Sequence, residues 1–473
     1  MVNYLTSLST DSLPIVKKVH VFCLNTAMQN DDRYHELFEI ADKFFKNGQL
    51  NKAEKFAVDT LKDNPKFAPA FQLLMMIFRE QGFEEEALSF QKFRKPLYIP
   101  IPGKLKSTHF KDYCQVKPNS NHSEHNYKKT VLGQEERTKL SPVSQTTKKH
   151  SRFFNKSYLN SAPVEQYLIH EGKIWEDGFN QIIWDKDGKL IPELCRGHAE
   201  LVDYIVQTRK PERYEGKVAV IANRIPDNYY HWFTDVLPAL HIIEKSGLTN
   251  DEIAYYLLNP IELGYQRDSL RRYDIPESKQ IVHNRQTYLE ADQLIICRWG
   301  SNSLGAQVGS WLSEELKSKY QIESQDLKCK ERKNIYISRG QTATRRIINE
   351  PQLTDLLANK YGFLIVDPCD HSIAEQANLF SNAKYIVAAH GAALTNLHFC
   401  NEGTKVFEIF GDYVDPCFWI LCNRLGIDHY FHQPDQHRLS PSVQTNLGER
   451  RKSDIYVDVD VLENDLKKTL TYV

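Results

Sequence analysis

The sequence has almost no net charge, and it lacks a long apolar run and a recognisable signal peptide. Its 473 residues include 60 lysines and arginines against 61 aspartates and glutamates, so no overall field draws it to nucleic acid or to an anionic membrane. No stretch approaches the ~20 apolar residues that cross a bilayer, and MVNYLTSLSTDSLPIVKK has neither the basic start nor the apolar core of a signal peptide. We therefore expect a cytoplasmic protein with no transmembrane segment and no nucleic-acid partner.

Cysteine pairs and several well-known catalytic motifs are also missing. The nine cysteines are scattered, odd in number and include no CxxC pair, which is typical of free thiols in a reducing compartment. GxSxG, HExxH and P-loop sequences do not occur. Asp458 and Asp460 have the DxD spacing of many metal-dependent transferases, but DIYVDVDVLEN is more typical of the polar face of a strand or of a turn before a helix. The sequence predicts neither a metal site nor a bound cofactor.

A repeat with an offset of 34 residues lies near the N-terminus. Four positions of the first copy recur in the second, namely Leu37, Phe44, Gly48 and Ala53 as Phe71, Phe78, Gly82 and Ala87. Each copy predicts two amphipathic helices with a glycine turn, and the pattern resembles the tetratricopeptide repeat. After an N-terminal segment, residues 1–32, we predict such helices in residues 33–100. They would either dock a partner protein or extend the packing, and an ordinary pair of helical hairpins is the alternative.

Residues 104–156 have a different composition, rich in lysine, serine, asparagine, threonine and glutamine. Such a segment buries too little apolar surface to offset the entropy lost on ordering. We therefore predict a flexible linker.

From residue 216 onward, predicted strands and helices alternate. The strand GKVAVIAN precedes the helix NYYHWFTDVLPALHIIEKSG, and a second series starts at RKNIYISRG. Strict alternation predicts parallel, doubly wound sheets. The predicted fold class is α/β, with two Rossmann-like domains, residues 157–325 and 326–473, preceded by the small α-helical region. Ligands are expected in the cleft at the carboxyl ends of the strands.

Three predicted strand ends of the second half carry functional groups. Arg339 follows NIYIS with Arg345 nearby, His390 and Gly391 follow KYIVAA, and Glu408 lies in KVFEIF. A glycine lets a ligand approach the backbone, and the start of the next helix favours an anion. Arginines suit phosphate oxygens, and a carboxylate suits a ribose diol. Together these residues predict a site for a nucleotide diphosphate.

Each of these residues also has an ordinary interpretation. A histidine before a glycine is often a hydrogen-bonded turn residue. The arginines, Arg346 above all, could pair with surface acids, and the carboxylate could be an edge residue of the sheet.

The first half offers a candidate general base. His231 and Asp235 are four residues apart at the start of the helix that follows GKVAVIAN, so they share one helix face at the mouth of the cleft. An imidazole or a carboxylate in this position could accept a proton from a substrate. Packing for the histidine and a surface position for the aspartate are the alternatives.

Three blocks of this sequence resemble those of glycosyltransferase family 61. They are NYYHWFTDVLPAL, IYISRGQTATRRIINEPQL, and IVAAHGAALTNLHFC with KVFEIF, in that order. The resemblance implies the GT-B fold and an inverting transfer from a nucleotide sugar, usually UDP-linked, without a metal. By similarity, Arg339 and the run His390 to Asn396, which includes Ala392, fall in the nucleotide-binding blocks, and Asp235 in the acceptor-side block.

The residues and the resemblance together predict an inverting, metal-independent glycosyltransferase with a UDP-sugar as co-substrate. Its acceptor would be a hydroxyl of a glycan, a lipid-linked sugar or a protein, in the synthesis of cell-surface polysaccharide or glycan. Eukaryotic members commonly carry an N-terminal anchor, which we do not expect here. The alternative is a catalytically inactive adaptor that binds nucleotide sugars and, through its repeats, a partner protein.

Overall fold

The computed structural model describes residues 33–63, 68–81, 110, 126–142, 144–145, 156–178, 180–197, 199, 201–282, 287–300, 308–322, 332–340, 342, 344–433 and 453–469. The chain divides into two compact units, Met1–Leu105 and Lys106–Val473. The predictions for residues 1–32 and 82–100 lie outside the described residues. Within the described ranges, no helix combines the length and the apolar character that a membrane crossing requires.

The first unit contains amphipathic helices. They are α1 Arg33–Lys46, α2 Leu50–Asp63 and α3 Ala68–Glu80. Gly48 has a φ of 70° in the turn between α1 and α2, a left-handed conformation that glycine adopts without steric cost. Ala41, Ala53 and Ala57 are fully buried, so small side chains let these helices approach closely. The predicted helix–turn–helix is present in residues 33–63, and its assignment to the tetratricopeptide repeat stays a prediction.

The described residues of the second unit form two large β-sheets, one small sheet and helices. Its strands are β1 Tyr127–Gly133, β2 Arg137–Lys139, β3 Ser144–Gln145, β4 Tyr158–Asn160, β5 Val164–His170, β6 Lys173–Glu176, β7 Gln181–Trp184, β8 Glu212–Val220, β9 Tyr255–Leu258, β10 Gln280–Val282, β11 Thr287–Arg298, β12 Lys333–Ile337, β13 Leu364–Val366, β14 Ala383–Ala389, β15 Lys405–Ile409 and β16 Asp428–His432. Its α-helices are α4 Leu201–Thr208, α5 Tyr229–His231, α6 Pro238–Lys245, α7 Gly264–Arg272, α8 Trp311–Lys319, α9 Glu350–Asp355, α10 Ile373–Ser381, α11 Cys417–Leu425 and α12 Val459–Thr469. The mixed α/β class that the alternation predicts is confirmed.

The first sheet is mixed rather than purely parallel. Its strand order is β1-β5-β11-β8-β9-β10, and β6 and β7 extend it beside β11. The pairs β11/β8, β8/β9 and β9/β10 are parallel, whereas β5 and β6 pair with β11 in antiparallel fashion. The chain passes from β8 to β9 on one side and later returns to β11 on the other side. The order therefore reverses between β8 and β11.

The second sheet is parallel throughout. Its strand order is β13-β12-β14-β15-β16-β3, and every adjacent pair runs in the same direction. The chain goes from β12 to β13 on one side and then to β14 on the other, so the order reverses between β12 and β14. In open parallel sheets, such a switch point opens a crevice at the carboxyl ends of the strands, where ligands bind.

Part of the segment expected to be a linker is ordered strand instead. Residues 127–133 pair with β5 at the edge of the first sheet, and Ser144–Gln145 pairs with β16 at the edge of the second. Two lysines of β1, Lys128 and Lys129, are exposed. An edge strand tolerates such polar composition because one side faces solvent and charged residues discourage further pairing. In the described strands of this segment, the polar composition therefore goes with an edge position in a sheet.

The two sheets share one apolar core. Ile221, Trp232, Ile386 and Phe418 belong to the same buried cluster, which reaches from the first sheet to the second. Polar contacts cross the same boundary, and the Tyr229 hydroxyl donates to Asn396 Oδ1 over 2.7 Å. The halves are therefore packed together, while their assignment to the two domains of a GT-B fold stays a prediction.

Candidate functional site

His231 and Asp235, the two candidates for the general base, lie where the helix after β8 changes from α-helical to π-helical winding. Helix α5 ends at His231, Trp232–Val236 forms a π-helical turn, and α6 follows. Asn228 caps the start, because its side chain accepts from the amides of Tyr230 and His231. Single π-turns inside helices are frequent at functional sites.

His231 and Asp235 form a hydrogen-bonded dyad. His231 Nδ1 lies 2.7 Å from Asp235 Oδ2, and the other oxygen, Oδ1, accepts from the Thr234 hydroxyl at 3.2 Å. Asp235 is 7% exposed, whereas the His231 side chain keeps 27% of its surface exposed. Since Asp235 holds Nδ1, the remaining ring nitrogen, Nε2, is the atom that can exchange a proton with a substrate.

Two residues that sequence reasoning missed, Asn223 and Trp299, hold the π-turn in place. In a regular α-helix, residue 238 would donate its N–H to Thr234 O, but Pro238 has no N–H. Trp299 Nε1 donates to this carbonyl instead, at 3.0 Å, and Asn223 Nδ2 donates to Asp235 O. Pro238 was the only local sign in the sequence that this helix is irregular. The donors Asn223 and Trp299 lie outside the helix, and no local pattern connects them to it.

In the second half, Arg339 and Gly391 meet at the switch point between β12 and β14. Arg339 follows β12, and its Nε and Nη2 donate to Thr344 O at 3.1 and 2.9 Å. Its Nη1 lies over Gly391, where an added Cβ would come within 1.9 Å of it. Gly391 has a φ of −177°, so close approach of the guanidinium, and not backbone conformation, explains the glycine.

Arg345 adds a second positive charge to this crevice. Burial, together with the nearby charge of Arg345, lowers the pKa of Arg339 to about 10. Arg345 adopts a left-handed φ of 56°, which costs energy in a residue with a Cβ. Arg346 is exposed and pairs with Asp454 at 2.9 Å, as its alternative interpretation predicts. Two like charges held together in this way favour an anion between them.

His390 is the end of a buried chain of hydrogen bonds. Its Nδ1 lies 2.6 Å from Glu408 Oε1, and His429 Nε2 lies 2.7 Å from Glu408 Oε2. Burial lowers the pKa of His390 below its usual value and raises that of Glu408. Glu408 is 0% exposed and is a hydrogen-bond partner of His390, and its predicted contact with a ribose stays a prediction.

Two other predicted nucleotide residues follow in the 3₁₀ helix Ala392–Phe399. Ala392 is half-buried at its start. Asn396 is 0% exposed, and its amide accepts from Tyr229 and donates to Gln376 at 2.7 Å. Asn396 therefore joins the two halves, and its predicted contact with a nucleotide stays untested.

Aromatic side chains connect the dyad to the switch point of the second sheet. Tyr230, next to His231, packs its ring 5.6 Å from that of Phe418. The Phe418 ring in turn lies 5.5 Å from His390, which also stacks on Phe410. A chain of contacting aromatic rings thus links Tyr230, next to the candidate base, to His390.

The DxD sequence has a structural role in the helix that follows it. Asp458 Oδ1 accepts from the amide of Val461 at 3.2 Å, which caps α12. Elsewhere, His241, Glu244 and Glu315 bring three possible metal ligands together. Glu244 pairs there with Lys319 at 2.8 Å and Glu315 with His241 at 2.7 Å, so protein groups already balance both carboxylates.

Comparisons with known proteins agree with the predicted family over part of the chain. Residues 229–407 match the family model described as Glycosyltransferase 61. A segment of 79 residues is 35% identical to protein O-linked-mannose beta-1,4-N-acetylglucosaminyltransferase 2 of Homo sapiens, Bos taurus and Pan troglodytes. This segment covers 16% of the chain and 14% of each relative. The family match begins at Tyr229, two residues before the dyad, and includes Arg339, His390 and Gly391.

Proposed function

We propose that this protein is an inverting glycosyltransferase that moves a sugar from a nucleotide diphosphate donor, UDP-linked, to a hydroxyl acceptor without a metal. The observation that supports it most is the arginine pair beside Gly391 at the switch point of the second sheet. The family match over residues 229–407 supports sugar transfer as the reaction class.

The donor would bind to the second half with its diphosphate between Arg339 and Arg345. Planar guanidinium groups hold phosphate oxygens through paired, charge-assisted hydrogen bonds. The charge on the diphosphate grows as the sugar leaves, and fixed cations stabilise that charge most in the transition state. His390, fixed by Glu408, would contact the donor from the end of β14.

His231 would act as the base and Asp235 would orient it. The acceptor oxygen attacks the anomeric carbon while the bond from that carbon to the diphosphate oxygen breaks. The acceptor proton passes to His231 Nε2, and the diphosphate leaves with the bonding electron pair. Attack opposite to the leaving group inverts the anomeric configuration. Asp235, whose oxygens contact His231 and Thr234, is better placed to hold the imidazole than to meet a substrate.

The cellular setting follows from the same proposal. The acceptor would be a glycan, a lipid-linked sugar or a protein, in cytoplasmic synthesis of cell-surface polysaccharide or glycan. Helices α1 to α3 would dock a protein partner.

Substituting the dyad tests the activity. His231→Ala and Asp235→Asn should each lower UDP release from UDP-sugars about 100-fold or more, as expected for loss of a general base, while UDP affinity in calorimetry stays unchanged. His170→Ala, which removes an exposed histidine of β5, is the control. Normal turnover in both dyad variants would refute the base assignment, and UDP binding without turnover in the wild type would favour the inactive adaptor. A chelator should leave turnover unchanged.

A further inference from the structure

A second candidate site lies in the first half, at the other switch point. A cavity of about 610 Å³ is lined by residues 220–224, at and after the end of β8, and by residues 296–300, at and after the end of β11. The strand order of the first sheet reverses between these two strands. Ligands of open α/β sheets bind at such points, and the volume lies within the ~300 to 1,000 Å³ of small-molecule sites.

The cavity wall is rich in positive charge. Arg196, Arg224 and Arg298 line it, against one carboxylate, Glu193. Glu193 Oε1 already accepts a hydrogen bond from the Tyr127 hydroxyl at 2.9 Å. Guanidinium groups in a concave site select carboxylate or phosphate groups.

Arg196 and Arg298 differ in what holds them. Arg196 is fixed by two hydrogen bonds to the fully buried Glu176, at 2.9 and 2.8 Å. Arg298 is half exposed and lies 3.7 Å from Glu165, a loose contact that a ligand could replace. Arg196 is thus part of the wall, whereas Arg298 is positioned to contact a ligand.

The cavity shares two residues with the support of the dyad. Asn223 and Trp299 line it, and they are the side chains that donate to Asp235 O and Thr234 O. An amide and an aromatic ring beside the arginines also suit a carbohydrate, which presents hydroxyls and an apolar face. A ligand in this cavity would lie directly against the residues that hold the proposed base.

We propose that this cavity binds a sugar that carries a carboxylate or a phosphate, and that this sugar belongs to the acceptor. The acceptor role rests on the proposed function; the binding of an anionic sugar does not. The donor would then occupy the second sheet and an acidic acceptor the first, each at its own switch point.

Calorimetry on the full chain tests the site with glucuronic acid and glucose 1-phosphate as probes and glucose as the neutral comparison. The site predicts binding of at least one anionic probe, about tenfold or more tighter than glucose. Saturating UDP should leave that binding unchanged. Equal binding of glucose, no binding of either anion, or displacement by UDP would each overturn the proposal. Failure of UDP-sugar turnover alone would overturn the proposed function and leave this site standing.

Variants locate the bound probe. Arg298→Gln and Arg224→Gln should each weaken anion binding about tenfold, the loss expected for one charge-assisted contact, without affecting UDP affinity. Ala162→Phe, which fills the cavity without changing charge, should also abolish binding. Arg271→Gln, which removes an exposed arginine of α7, is the matched control. Wild-type affinity in both Arg298→Gln and Ala162→Phe would place the anion elsewhere and refute the site.

Discussion

Gly391 shows how one residue defines the anion crevice. Its backbone is extended, a conformation open to any residue, yet its Cα lies directly under the Arg339 guanidinium. The sequence identified this glycine as a point of close approach, but it suggested a ligand where the structure has an arginine. Arg339 and Gly391 are 52 residues apart along the chain, so no local sequence pattern shows that the guanidinium approaches this glycine.

Replacing Gly391 by alanine should damage nucleotide binding more than folding. The new Cβ would meet Arg339 Nη1, and the end of a flexible side chain can move away at low cost. Arg339 would then leave the crevice, so we expect UDP affinity to fall about tenfold or more, measured by calorimetry. Gly264→Ala, with nothing within 4 Å of its new Cβ, should bind UDP normally. Unchanged affinity in Gly391→Ala would show that Arg339 does not hold the nucleotide.

At the scale of elements, the winding of the helix after β8 determines how the proposed base His231 and its partner Asp235 are oriented. The sequence predicts a helix over NYYHWFTDVLPALHIIEKSG, and the structure has helical turns over this stretch. The π-turn at Trp232–Val236 depends on Trp299 and Asn223, which lie outside the helix. The spacing of four residues between His231 and Asp235 therefore predicts that they share a helix face. The π-turn that orients them could not be predicted from the sequence.

Restoring a regular helix should misplace the dyad. Pro238→Ala supplies an N–H that competes with Trp299 for Thr234 O and favours the α register. Small displacements of catalytic groups cost about 100-fold in rate, so turnover should fall to that extent while UDP affinity stays unchanged. Pro260→Ala, at an exposed position after β9, should keep wild-type turnover. Wild-type turnover in Pro238→Ala would remove the π-turn from the mechanism.

Strand pairing was predictable only where the chain alternates. From residue 216 onward, the order of strands and helices predicts parallel sheets, and the pairs β8/β9 and β12/β14 have that arrangement. Strands β5 to β7 pair in antiparallel fashion beside β11. For β5 and β6 the partner, β11, lies more than 100 residues away along the chain, so their place in the sheet follows from long-range packing and not from local periodicity.

At the scale of the whole molecule, the two halves of the second unit join through a buried polar contact. His398, in the 3₁₀ helix of the second half, lies with its Nδ1 2.7 Å from the hydroxyl of Ser313 in α8 of the first half. Lys317 of the same helix donates to Cys400 O at 2.6 Å. Burial, with the charges of Arg424 and Lys317, lowers the pKa of His398 to about 3. The interface therefore requires a neutral histidine.

This requirement predicts a loss of stability in acid. In the unfolded chain His398 titrates near 6.5, so below that pH the unfolded state binds a proton that the folded state excludes. The stabilisation is present above about pH 6.5 and decreases as the pH falls toward 3. Between pH 7.5 and 5.5, His398 alone should lower the free energy of unfolding by about 1 kcal/mol.

Denaturant unfolding of variants over this pH range isolates the contribution of His398. His398→Gln removes the titrating group and should flatten the pH dependence by about 1 kcal/mol, whatever its effect on stability at pH 7.5. His170→Gln, at an exposed histidine, should retain the wild-type slope. Because His398 sits between the halves, the same variant should also reveal whether they unfold together, since a destabilised interface would split a single transition into two. An unchanged slope in His398→Gln would show that this histidine does not control the acid sensitivity of the interface.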